Sequence, residues 1–329
     1  MTDHPDRGSS RRIIVVTGSP RSGTTAVGDA IAAAPGVMSL YEPLNRTVGD
    51  RRVGRYFEVP GTADFPVERA LGLADGVAAL RLQLRSGIFP DDPAWRRVVK
   101  IVTGSRALAS YRRARLKPAP TLIWKDPFAV FWLDLLERQR PGVASVVTYR
   151  PALAVAASFA RLGWTFKPHE VLAHLHEVGA FVHPVAERFV HDQDMTSPAR
   201  NGAAIWALVY GWHANTAFSD SLLVDAKGFA DDPGAYRPLY ERLGLAWTPA
   251  VERRIEHSQE TPSKSAKAAK APSYGQRAHT KHRNLAAMNS YFSSILTEDD
   301  QRVIRDELAP IEEDVTARLW RAGQDAVAR

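Results

Sequence analysis

Two glycines, Gly18 and Gly23, frame the short segment Ser19, Pro20, Arg21 and Ser22, and the hydroxyl residues Thr24 and Thr25 follow at once. A β-branched run at 13–17 precedes this segment and reads as a fully buried strand, while 24–34 reads as a helix stopped by Pro35-Gly36. Strand, glycine-bounded turn and helix N-terminus together make an anion site. Successive backbone N–H groups point into the turn, and the helix macrodipole adds partial positive charge there. The glycines permit the tight backbone path, the threonines add hydroxyl donors, and Arg21 supplies a fork of donors suited to phosphate or sulfate oxygens. The alternative is an ordinary turn, but strand, hydroxyls and helix all fall in register.

The glycine spacing equals that of the nucleotide-binding Gly-x4-Gly loop, which continues with Lys and then Ser or Thr. Here the chain continues with Thr24-Thr25. An enzyme that splits ATP or GTP would therefore lack a central cation, since that lysine neutralises phosphate and the next hydroxyl holds Mg²⁺. No hydrophobic strand ends in a clear metal-holding aspartate; the run at 143–149 leads into Arg150. A sulfuryl group carries less charge than a terminal phosphoryl group, so its transfer needs less help from a metal and a protein cation can serve.

The elements that must position these groups alternate in type. Strands are expected at 13–17, 37–41, 121–124, 143–149 and 221–224, with helices at 24–34 and 128–138, one opened by Arg150-Pro151 and running through Arg161, and one between Pro233 and Gly244. Such alternation predicts an α/β fold, a parallel sheet flanked by helices on both faces. Right-handed crossovers place all strand C-termini on one edge, where ligands of such sheets bind. Three further polar groups should emerge there: Glu42 after the second strand, Lys125 after the third, and Arg150 after the fourth, with Ser158 eight residues on. Taken alone, each has a plainer reading. Glu42 is a polar strand end before Pro43, Lys125 a surface lysine before a helix cap at Asp126, Arg150 a strand end, and Ser158 a residue packed in a helix.

At these residues the chain resembles the nucleotide-dependent sulfotransferase family. Its loop is similar to that family's 5′-phosphosulfate loop, in the arginine form seen in tyrosylprotein sulfotransferases and many bacterial members. Arg150 with Ser158 matches the family's arginine and serine eight residues apart, and Lys125-Asp126-Pro127-Phe128 resembles a segment of the tyrosylprotein enzymes. The resemblance implies a P-loop-containing nucleoside triphosphate hydrolase-like sulfotransferase fold. It implies 3′-phosphoadenosine-5′-phosphosulfate (PAPS) as co-substrate, with 3′-phosphoadenosine 5′-phosphate (PAP) as product and no required metal. Residues 18–25 would hold the 5′ end, and Arg150 and Ser158 the 3′-phosphate. Lys125 would stabilise charge on the sulfuryl oxygens, Arg21 the leaving oxygen, and Glu42 would be the general base. Cytosolic members use a histidine near the position of Phe128, where this chain has none. Lys281 and Arg283 are candidates for a C-terminal loop on the 3′-phosphate. The match covers 13–42 and 121–164 well, 221–256 more weakly, and says little about 46–120.

The 329 residues are 45% hydrophobic, which suffices for one elaborated domain over 13–329 behind a polar tail at 1–12. Helical insertions are expected at about 46–120 and 163–217, the usual place for acceptor-binding elements. A basic flap is expected at about 259–284, where Lys264, Lys267, Lys270, Arg277, Lys281 and Arg283 face a single acid, Glu260. The absence of cysteine and of a signal-peptide core suits a cytoplasmic protein, and the Ala/Arg-rich composition a bacterial one. That composition points to a small-molecule, glycolipid or saccharide hydroxyl as acceptor; a lipid acceptor would add peripheral contact with a membrane. The net charge of +7 suits any polyanion. Two other classes share parts of the pattern: an atypical P-loop kinase or NTPase, and a non-catalytic nucleotide- or nucleic-acid-binding protein. Neither accounts for Arg150, Ser158 and the lysine-free loop together, so no stable nucleic-acid partner is expected. Five histidines between His169 and His191 form no ligand triad at standard spacing, and Trp206, Tyr210 and His213 read as a core stripe on one helix.

Overall fold

The computed structural model describes residues 11–88, 94–95, 104–140, 142–216, 221–260 and 291–321. Lys281 and Arg283, with most of the expected basic flap and residues 1–10, lie outside the described residues.

Strand β1 (Arg12–Gly18) leads through the glycine-bounded loop into helix α1 (Thr24–Ile31) and then β2 (Val37–Tyr41). Helices α2 (Val67–Ala78) and α3 (Arg106–Leu116) precede β3 (Thr121–Lys125), which passes through a 3-10 turn (Pro127–Trp132) into α4 (Leu133–Gln139). After β4 (Ala144–Tyr149) come α5 (Ala152–Leu162), α6 (Pro168–Glu177), α7 (Pro184–Asp192) and α8 (Pro198–Asn215). The chain then forms β5 (Ser221–Asp225), α9 (Ala226–Asp231), α10 (Tyr236–Arg242), α11 (Pro249–Glu260) and α12 (Glu298–Ala317).

The five strands pair in parallel in the order β2-β3-β1-β4-β5. All five fall where β-branched and apolar runs predict them, and β1 begins one residue early, at Arg12. Central β1 is apolar without interruption from Ile13 to Val16 because both its faces are covered. Ile13 and Val15 join Trp124, Val147, Phe159 and Trp206 in one core, while Ile14 and Val16 join Val27, Ile123, Val224 and Tyr240 in the other. Helices α5 and α8 lie on the first face and α1 and α10 on the second. Gly202 of α8 lets α5 approach closely; a Cβ there would sit 2.5 Å from the Phe159 ring. No helix among the described residues is long and apolar enough to cross a membrane.

Two expected helices differ from their sequence patterns. The stretch from Phe128 is not one continuous helix. Residues 127–132 are all buried, which leaves no solvent face for an amphipathic α-helix. They form a tight 3-10 turn that begins where Asp126 Oδ1 accepts from Phe128 N (3.0 Å). Helix α1 stops at Ile31 instead of Ala34, because the next residues tighten into i→i+3 bonds before Gly36 turns at φ 72°.

Candidate active site

The loop after β1 occupies the centre of the sheet's C-terminal edge. Gly18 has φ 138°, and a Cβ on it would lie 2.4 Å from the Thr148 carbonyl oxygen of β4, so both backbone angle and space demand glycine. Ser22 N closes the turn on Ser19 O (3.0 Å), and Ser22 Oγ pairs with Thr148 Oγ1 (2.7 Å). Tyr210 of α8 supports the loop from below: its hydroxyl donates to Thr148 O (2.5 Å) and accepts from Ser19 N (3.4 Å). Gly23, at φ 104°, begins α1 with no side-chain cap and no acid in the first turn. The first N–H groups of α1 and its dipole are thus left to a ligand, and the cradle fits an anion.

Beside the loop, Arg21 Nε donates to Ser158 Oγ of α5 (2.9 Å), and the guanidinium lies 5.7 Å from the Trp164 ring centroid. Arg150, wholly buried at the end of β4, donates through Nη1 to the Arg21 carbonyl (3.3 Å). Its own carbonyl is held by Trp206 Nε1 (2.8 Å). Arg21, Arg150 and Ser158, far apart in sequence, therefore meet on one side of the loop.

The other side holds Glu42 and Lys125. Adjacent strands β2 and β3 end in register, and Glu42 N bonds Lys125 O (2.8 Å). The buried Lys125 Nζ bridges Glu42 Oε1 (3.3 Å) and Thr25 Oγ1 of the loop (3.1 Å), with the Tyr41 ring centroid 3.4 Å away. Gly28 of α1 makes room for the lysine stem; a Cβ would meet Lys125 Cγ at 2.9 Å. Asn45 Nδ2 donates to Glu42 Oε2 (2.7 Å). Burial alone would raise the Glu42 carboxyl, but Lys125, with Asn45 and Tyr41, more than offsets this and holds it below its ordinary pKa. Burial likewise lowers the Lys125 ammonium, and Glu42 only partly opposes that shift. Asp126, buried and close to Glu42, is pushed up to about 7. It accepts from Leu44 N (2.5 Å) and Phe128 N, tying the turn after β2 to the turn after β3.

Arg21 (φ 73°) and Glu42 (φ 47°) are two of the four non-glycine residues with positive φ among those described. Side chains seldom adopt this backbone region, and such residues collect at ligand sites. Of the other loop residues, Ser19 turns its hydroxyl to Pro20 O (3.3 Å), Ser22 faces β4, and Thr24 is buried. Tyr210, Thr148, Asn45, Gly28 and Trp164 also build the site. Sequence reasoning placed Tyr210 in the core, where it is, but its hydrogen bonds to residues 62 and 191 positions away leave no local signal. Of the histidines, His183 caps α7 at Val185 N, and His174 meets Arg55, distant in sequence. No metal-holding cluster occurs among the described residues.

A profile of the sulfotransferase family matches residues 13–200, more than half of the chain. The chain belongs to the sulfotransferase family. That match spans β1, the loop, Glu42, Lys125, Arg150 and Ser158. Among solved structures, the chain is similar to a sulfotransferase domain from the olefin synthase of Synechococcus PCC 7002 (15% identity, 94% of this chain and 98% of that chain, TM-score 0.43). It is also similar to the sulfotransferase STF9 from Mycobacterium avium (15% identity, 96% and 79%, TM-score 0.42). Among curated proteins, none matches the sequence.

Proposed function

We propose that this sulfotransferase-family protein moves a sulfuryl group from PAPS to a hydroxyl, with Glu42 as general base. The observation that carries the reading is the arrangement about one loop, with Arg21, Ser158 and Arg150 on one side and the Glu42–Lys125 pair on the other. The 18–25 loop offers the backbone N–H groups at the start of α1 and the Thr24 and Thr25 hydroxyls to the 5′-phosphosulfate. Arg150 and Ser158 hold the 3′-phosphate, the group that separates this co-substrate from other adenine nucleotides.

Glu42 takes the proton of the acceptor hydroxyl while that oxygen bonds to sulfur. The bond between sulfur and the bridging oxygen breaks, and its electron pair stays on the 5′-phosphate of PAP. Arg21 meets the charge developing on that phosphate, acting only as a cation and hydrogen-bond donor because it stays protonated. Lys125, bridging Thr25 and Glu42, is placed to meet charge on the sulfuryl oxygens. Positioning and electrostatic stabilisation supply most of the rate. The acceptor is a small-molecule, glycolipid or saccharide hydroxyl.

The test is turnover of ³⁵S-labelled PAPS against a panel of hydroxyl acceptors, with Glu42→Gln in parallel. The wild type should form labelled product, and Glu42→Gln should lose about 10²–10⁴-fold of the rate while binding PAP normally. A fully active Glu42→Gln would place the base elsewhere.

A further inference from the structure

A chamber of about 160 Å³ lies between the segment that follows Asn45 and the stretch that runs from the α5–α6 connection into α6. Its volume is close to the ~150 Å³ that takes a single benzene ring. The apolar side is aromatic. Phe57 meets Phe166 edge-on with ring centroids 5.4 Å apart, and Tyr56 lies 5.0 Å from Phe166 and 4.9 Å from Phe128. Phe57 is held at φ 55°, a third non-glycine residue with positive φ.

Three short stretches of chain connect the chamber's aromatic and basic wall to the reacting groups. Arg46 on its wall follows Asn45, whose amide holds Glu42. Phe166 stands two residues beyond Trp164, against which Arg21 packs. Phe128 stands three residues beyond Lys125.

The cations of the wall are not equivalent. Arg55 is occupied by Asp64 (2.7 Å), Glu58 (3.6 Å) and His174 (2.6 Å). Lys167 is paired with Glu170. Arg46 is exposed and has no hydrogen-bond or ion-pair partner among the described residues. An aromatic slot for one ring, rimmed by one uncommitted guanidinium whose chain neighbour Asn45 holds Glu42, matches a ring with an acidic group at one end and a hydroxyl at the other. The planar fork of arginine suits a carboxylate in particular.

We infer that this chamber is the acceptor site and that it selects a hydroxylated, ring-sized carboxylate, with Arg46 as the specificity-determining residue. This rests on the sulfuryl-transfer reading and narrows its acceptor class.

The test is calorimetric titration of the full chain, with and without PAP, using 4-hydroxyphenylacetate and its neutral analogue 4-hydroxyphenylacetamide as probes. The carboxylate should bind about tenfold or more tighter, equivalent to ~1.4 kcal/mol. Arg46→Gln should bring the two probes together, leaving the amide and PAP affinities unchanged, and Tyr56→Leu should weaken both probes alike. Equal affinities in the wild type, a preference that survives Arg46→Gln, or no binding of either probe at millimolar concentration would overturn the inference. The PAP titration stands apart: failure to bind PAP counts against the sulfuryl-transfer reading, and the absence of a carboxylate preference in the wild type counts against the chamber.

Discussion

Glu42 and Lys125 share one buried ion pair, so the protonation of each depends on the other. With Glu42 held below its ordinary pKa, a rate that needs its carboxylate should be flat through neutral pH and fall only in the acid range. In Lys125→Met, burial is no longer opposed by a cation, the Glu42 pKa rises, and the acid limb of kcat/KM moves to higher pH. A pH–rate profile of the variant checks this; an unmoved limb would mean that Lys125 does not govern the base. The same depression adds stability above the unfolded-state pKa of Glu42, and this is lost as pH falls through the folded-state value. Arg150 yields a separate expectation. Arg150→Ala should remove charge-assisted hydrogen bonds worth ~1.5–3 kcal/mol from PAP binding and leave ADP binding almost unchanged, as paired titrations would show.

The strands carry these residues to one edge, and their positions were legible because short β-branched runs followed by Gly, Glu-Pro, Lys-Asp-Pro or Arg-Pro mark strand and strand end together. The 3-10 turn at 127–132 was not, since its apolar spacing also suits a helix and only burial of all six residues decides between them. Helix α8 shows the same limit. Its stripe of Trp206, Tyr210 and His213 identifies a buried face, but the bonds that fix the loop through Tyr210 exist only once α8 packs beneath β4. Tyr210→Phe should therefore strand the Thr148 carbonyl and Ser19 N–H. It should cost ~1–3 kcal/mol in stability and weaken PAP binding, measured by denaturant unfolding and calorimetry. Gly28→Ala acts through α1, where its Cβ would push Lys125 from its place. It should lower kcat more than PAP affinity; an unchanged kcat would show that the lysine stem can shift without consequence.

At the scale of the whole molecule, a parallel sheet with β1 at its centre gathers residues from the ends of three strands around one anion cradle. The residues gathered around this cradle could be read from the sequence because they sit in compact motifs. The chamber could be placed only as far as the insertions at about 46–120 and 163–217: its walls, within 46–57 and 165–174, carry no shared spacing and meet only through the fold. The net charge of +7 fits a polyanionic ligand but does not choose one. The choice falls to comparing the unfolding of the intact protein with PAP and with ATP–Mg²⁺ at equal concentrations. PAP at a hundred times its Kd should stabilise the fold by ~2.7 kcal/mol, and ATP–Mg²⁺ should do far less. Stabilisation by ATP–Mg²⁺ with no response to PAP would contradict the account.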